Sequence, residues 1–265
     1  MPLPDLRLPA VVFVALAIAG CGSKGVKPMS APLGVAPEYV ARDSADTRRR
    51  VNYQDQLTLA AEALRSGQSE MAEKRAKNAL KLEPGRPDAY VLLAALATQR
   101  GATAEAGPLF QKAAELAPND GNVLNNYGAW LCGQARYAEA LTFFDRAVAA
   151  PGYRTPGAAL ANAGGCALDA GQPERAARDL RRALALDPAN PYALESMARS
   201  EYAQARYFEA RAFVQRRLSA APATRSVLQL ASQIEAQLGD TVASGRYLQR
   251  IREEFPQDAA PKSRG

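Results

Sequence analysis

Thiols are the side chains whose number and placement in this chain point to defined chemistry. There are three, Cys21, Cys132 and Cys166, in 265 residues that contain no histidine. Without imidazole the chain lacks the commonest general base and the commonest metal ligand. It also has no Walker loop, dinucleotide fingerprint or Cys-x-x-Cys pair. Acidic residues are numerous, 27 against 33 Lys and Arg, but they lie beside basic residues on what read as solvated helix faces. The chain is therefore expected not to be an enzyme, to need no cofactor or metal, and to take no small-molecule substrate. Its cysteines are left to serve attachment or structure.

Cys21 closes an apolar run. Residues 10–19 read AVVFVALAIA behind Arg7. That is well short of the ~20 residues needed to cross a bilayer and suits the hydrophobic region of a secretory signal. The run ends Ile18-Ala19-Gly20-Cys21, which resembles the lipobox of bacterial lipoproteins. There, cleavage before the cysteine is accompanied by a diacylglyceryl group on its sulfur and an acyl chain on the new amino terminus. An ordinary signal peptide with a coincidental cysteine is the alternative. The expected divisions are a signal peptide over 1–20 and a lipidated, flexible linker over 21–50, rich in Pro, Gly, Ser and Ala. Gly22 rather than Asp follows the cysteine, so the resemblance implies a lipid anchor in the outer membrane, facing the periplasm. More than one acyl chain makes such an anchor stable, at about 0.8 kcal/mol per buried methylene. The linker closes on Arg48-Arg49-Arg50, readable as a solvated lead-in to the first helix or as a contact for anionic lipid.

The elements that position the other two cysteines are read from proline. Pro84 and Pro118 are 34 residues apart, as are Pro188 and Pro222 and then Pro222 and Pro256, while Pro118 to Pro188 is 70. Counted back from these prolines, a small residue recurs at 24, usually Gly at 17, and usually Ala at 12 and 5. This interval and pattern mark the tetratricopeptide repeat, a helix-turn-helix unit. Six units are laid out over 53–86, 87–120, 121–154, 157–190, 191–224 and 225–258, with a disordered tail over 259–265. In the second unit Tyr90, Leu93, Ala94 and Ala97 form one apolar stripe and Ala106, Phe110 and Ala113 the other. One helix pair cannot bury its apolar face alone, so the units must stack. The expected fold is all-α, a right-handed superhelical solenoid of about six repeats. Gly107-Pro108 falls inside the second helix of unit two and predicts a late start for that helix.

Cys132 at position 12 of unit three and Cys166 at position 10 of unit four stand on the first helices of adjacent units. In an oxidising compartment they are expected to bridge if their Cα atoms come within about 7 Å. Two buried free thiols are the other reading. The net charge of +6 and pI of about 9.3 describe a basic protein. A secretory signal argues against nucleic acid as its counter-surface and leaves acidic protein segments or lipid headgroups.

Fold alone names no partner. A narrower resemblance rests on Asn125-Asn126-Tyr127-Gly128 followed by Leu131-Cys132, on Pro151-Gly152-Tyr153, and on Asn162-x-Gly164-x-Cys166-Ala167-x-x-x-Gly171. With the paired cysteines, the two-residue expansion between units three and four, and six repeats behind a lipobox, the chain resembles the type IV pilus biogenesis and stability lipoprotein family, PilW/PilF. The resemblance implies a pilotin, which helps the outer-membrane secretin localise and assemble. Alternatives are an adaptor recruiting peptidoglycan hydrolases or proteases, or a subunit of outer-membrane protein insertion machinery. Positions 2, 5, 9 and 12 of the first helices are expected to line a concave partner groove. They are Asn122, Asn125 and Ala129 in unit three, Ala158, Ala161 and Gly165 in unit four, and Tyr192, Glu195, Arg199 and Tyr202 in unit five. The small residues of unit four are expected to leave the groove open for a strand or short helix of the secretin, or else to permit tight superhelical packing. On the first view Ala161→Arg obstructs the groove without disturbing the core.

Overall fold

The computed structural model describes residues 44–256, within a compact unit running from Asp43 to Gly265. The expected signal peptide, Cys21, the linker up to residue 43 and the tail over 259–265 lie outside the described residues. Among those residues there are twelve α-helices and no strand: α1 (Ala45–Arg65), α2 (Ser69–Leu82), α3 (Pro87–Gln99), α4 (Thr103–Leu116), α5 (Gly121–Gly133), α6 (Tyr137–Ala149), α7 (Pro156–Asp169), α8 (Pro173–Leu186), α9 (Pro191–Ala203), α10 (Tyr207–Ala220), α11 (Arg225–Gln237) and α12 (Thr241–Glu254). Consecutive pairs form the repeats. Each odd-numbered helix packs on its own even-numbered partner, and α3, α5, α7, α9 and α11 line up one against the next. The result is the all-helical repeat solenoid.

The periodic prolines stand just past helix ends. Pro84, Pro118, Pro188, Pro222 and Pro256 each follow the last residue of α2, α4, α8, α10 or α12 by two positions, where a ring that cannot donate an N–H ends the helix without loss. The eighth position of each unit decides how closely the pair approaches. It holds Ala60, Ala94, Gly128, Gly164, Ala198 and Ser232, all buried. A Cβ added to Gly128 would sit 2.8 Å from Phe144 Cε1, and one added to Gly164 would sit 2.5 Å from Leu180 Cγ. Glycine is required there because the facing side chain already fills the space. Phe110, Tyr127, Leu131 and Phe144 continue this packing through units two to four as one core, with alanines between them.

Three local expectations need correction. The first helix begins at Ala45, not near 51, so Arg48-Arg49-Arg50 are helical and the linker boundary moves to residue 43. Ser44 caps it, its Oγ accepting the Thr47 N–H at 3.0 Å, and Asp46 lies in the first turn, favouring the positive helix end. Pro156 is not a spacer between units three and four but the first residue of α7. The second helix of unit two does not start late: α4 begins at Thr103 and carries Pro108 inside it. The site is held from outside, since the Trp130 ring lies over Gly107, 2.7 Å from where a Cβ would be, and also packs against Phe110.

All six units turn between their helices in one conformation, the residue after the turn donating five positions back, as from Gln68 to Ala63 and from Ala102 to Ala97 at 2.8 Å. The turn residue is Gly67, Gly101, Gly171 or Gly239, each with φ between 68° and 80°. In units three and five it is Ala135 and Ala205, both at φ 57°. A Cβ in the left-handed region crowds the backbone by about 1–2 kcal/mol. After allowance for glycine's freer unfolded chain, Ala135→Gly and Ala205→Gly should each stabilise the protein by about 0.5–1 kcal/mol, read as a higher denaturant midpoint at unchanged slope.

Candidate functional site

The expected groove runs along the odd-numbered helices, but it is not uniformly open. In unit three Asn122 and Ala129 are exposed and Asn125 is half-buried, its Oδ1 accepting a hydrogen bond from Asn162 Nδ2 at 3.0 Å. Asn162 thus spans two repeats, while Asn126 faces solvent. Ala129, Cys132, Asn162, Asp169 and Tyr192 border a depression of about 210 Å³. Cys132 and Cys166 are joined there through their sulfurs, with Cα atoms 5.8 Å apart, tying α5 to α7.

Unit four closes the groove instead of opening it. Ala161 is 1% exposed and belongs to the core with Leu160, Leu180, Met197 and Ala193. Gly165 is buried beneath Tyr192, whose hydroxyl lies 2.4 Å from where a Cβ on Gly165 would stand. Ala158 is half-buried. The absence of side chains at this point is therefore filled by a ring from the next unit. Burial of that phenol, followed by the charge of Asp169, pushes its pKa above the usual value.

The groove opens again between units five and six. Glu195, Arg199 and Tyr202 border a depression of about 470 Å³ together with Leu168, Ser226, Gln229, Leu230 and Gln233. Its charges are already partnered. Arg199 Nη2 donates to Asp169 Oδ1 at 2.7 Å, and Glu195 accepts from Ser226 Oγ at 2.8 Å and lies 3.4 Å from the buried Arg217 Nε. What remains is two exposed glutamine amides above a floor of Leu168, Tyr202 and Leu230. Such a surface offers hydrogen bonds to a peptide main chain and apolar contact to its side chains. The described residues contain no cluster of metal-ligating side chains.

Of the ten expected groove residues, the structure brings Glu195, Arg199 and Tyr202 together in this depression, and Ala129 and Tyr192 in the smaller one. Asn122 and Ala158 line neither, Asn125 meets Asn162 beside the smaller one, and Ala161 and Gly165 are core. Ser226, Gln229 and Gln233 were missed. They occupy positions 2, 5 and 9 of unit six, so the positional rule extended by one unit would have found them.

Tetratricopeptide-repeat models match residues 57–121 and 167–234, and with the twelve paired helices they define the class: the chain belongs to the tetratricopeptide-repeat family. Within it the chain is similar to the type IV pilus proteins PilW and PilF. It is 27% identical over 209 residues to the type IV pilus assembly protein PilF of Pseudomonas aeruginosa, covering 78% of this chain and 77% of that protein. The crystal structure of PilW, described as a widely conserved type IV pilus biogenesis factor, superposes with a TM-score of 0.69 at 29% identity, over 77% of this chain and 94% of PilW. Cellulose synthase operon protein C of Pseudomonas fluorescens is also 27% identical over 207 residues, 76% of this chain, but the match spans only 16% of that protein.

Ala161→Arg should unfold unit four rather than block a groove, lowering stability by about 3 kcal/mol or more because a charge enters a filled core. Gln229→Arg and Gln233→Arg, on exposed positions, should stay within about 0.5 kcal/mol of the parent. Chemical denaturation of the three variants separates these outcomes.

Proposed function

We propose that this protein is an outer-membrane lipoprotein of type IV pilus biogenesis, a non-enzymatic pilotin that helps the secretin localise and assemble. The observation that carries the reading is a PilF-like sequence running through most of both chains, 78% of this one and 77% of PilF. The arrangement of partnered charges and free amides between units five and six supports a role in holding an extended segment of a protein partner. On this reading Cys21 is the lipid attachment point and the solenoid faces the periplasm. The Cys132–Cys166 pair is oxidised in that compartment, closing a loop that contributes roughly 3–4 kcal/mol on the chain-entropy account.

Deletion should abolish surface pili and heat-resistant secretin multimers while leaving peptidoglycan intact. Reintroduced Gln229→Arg/Gln233→Arg protein should accumulate normally yet recover less secretin on affinity capture from envelope extract, by tenfold or more. Full secretin recovery with that folded variant would move the partner surface elsewhere. Mass spectrometry of protein from the same envelope should find an acylated cysteine 21 at the amino terminus and a linked Cys132–Cys166 peptide. A free, unmodified cysteine 21 would remove the anchor from the reading.

A further inference from the structure

The first helix is longer than its role in the repeat requires. α1 has 21 residues against 14 for α2, its partner, and its first buried side chain is Tyr53. The seven residues of difference add about 10 Å of helix beyond the pair. That extension carries Arg48, Arg49, Arg50 and Val51, all exposed. Arg49 is turned to the body of the protein, with Nε 2.8 Å from Glu83 Oε1 and Nη2 3.0 Å from Asp46 Oδ1. Arg48 and Arg50 have no ion-pair partner among the described residues. At 3.6 residues per turn, Val51 falls opposite Tyr53, Ala60 and Ala63, the buried face of α1, with Arg48 and Arg50 on its two flanks, about 60° and 100° around the helix from it. Val51 lies between the two arginines and is 51% exposed. Cations in the first turns oppose the helix dipole, so helix stability does not account for two unpaired arginines here.

We propose that the outer arc of the first two turns of α1 is a contact for the surface of an anionic bilayer, Arg48 and Arg50 meeting lipid phosphates and Val51 the headgroup boundary. The choice of a bilayer as occupant rests on the reading of Cys21 as a lipid anchor. Only 22 residues separate that cysteine from Ser44, a stretch that reaches at most about 75 Å, so this helix is the part of the solenoid nearest in sequence to the anchor. Charge complementarity and the exposed valine between the arginines match what amphipathic helices present to headgroups. The contact would fix which end of the solenoid faces the lipid and leave the depression between units five and six, at the opposite end of the stack, free for a partner.

The test uses Asp43–Gly265, the compact unit without Cys21, sedimented at low ionic strength with vesicles of phosphatidylcholine alone or with phosphatidylglycerol added. The unit should sediment with the anionic vesicles in preference to the neutral ones. Arg48→Gln/Arg50→Gln should lower its apparent partition constant by on the order of 25-fold, about fivefold per arginine. Salt at about 0.5 M should do the same. Arg181→Gln, an exposed position on α8, should change nothing. Equal sedimentation of the parent and the double variant, no preference for anionic vesicles, or an equal loss with Arg181→Gln would overturn the proposal. So would binding to polyglutamate without binding to vesicles, which would assign the arc to an acidic protein segment. A cysteine 21 that proves unmodified by mass spectrometry leaves this readout unmoved, so the two readings fail separately.

Discussion

The structure depends on one steric constraint, repeated six times: at the crossing point of each helix pair there is room for a hydrogen, a methyl or a hydroxymethyl group and nothing more. Ala60, Ala94, Gly128, Gly164, Ala198 and Ser232 meet it in turn. Close approach puts the facing side chain, Phe144 or Leu180, directly on the backbone of its partner helix, and the many short-range contacts of such packing supply the cohesion that alanine-rich helices lack individually. Ser232 shows the limit of what the crossing accepts. Its hydroxyl is buried and meets the Ser244 hydroxyl at 2.9 Å, so a polar atom is admitted where the opposing helix supplies a matching one.

The same crowding explains why the expected groove is divided. Glycine at a groove position does not leave a void, because a close-packed protein fills it from the next element. Tyr192 covers Gly165 in this way, and Tyr153, from the expanded turn before α7, covers Gly121, where an added Cβ would lie 2.3 Å from its Cγ. The open stretch falls instead between units five and six, where Gln229 and Gln233 reach solvent and the charged residues around them, Arg199 with Asp169 and Glu195 with Ser226, already satisfy one another. A partner there meets little unscreened charge, which favours recognition by shape and main-chain hydrogen bonding.

The repeats were legible in the sequence because their signal is periodic, and a proline or glycine that recurs every 34 residues reports a backbone event directly. The single turns where Ala135 and Ala205 replace glycine were legible only as gaps in that pattern, since their positive φ is imposed by the hydrogen bonds on either side. The beginning of α1 was not found, because the repeat pattern starts at Tyr53 and the eight residues before it are held by a local cap, Ser44 on Thr47, that no periodicity announces. Pro108 misled for the opposite reason: intrinsic propensity puts a helix start there, and the aromatic packing of Trp130 over Gly107 overrides it. Positional rules picked out Glu195, Arg199 and Tyr202, which border one depression. They could not say which positions a neighbouring ring would cover, as Tyr192 does at Gly165, because that depends on rotamers across a repeat boundary.

The link between Cys132 and Cys166 also has a mechanical meaning. A solenoid held at one end and loaded at the other behaves as a chain of springs in series, each unit coupled only to its neighbours, and unravelling under tension proceeds from whichever end yields first. The disulfide joins the middle two units at the 34-residue separation of one repeat. Contour that would otherwise lengthen the molecule by about 110 Å if drawn straight is removed from the path of the force, which passes through the sulfurs. Extension begun at either terminus therefore halts at units three and four, and the molecule carries a central segment of fixed length between two extensible arms.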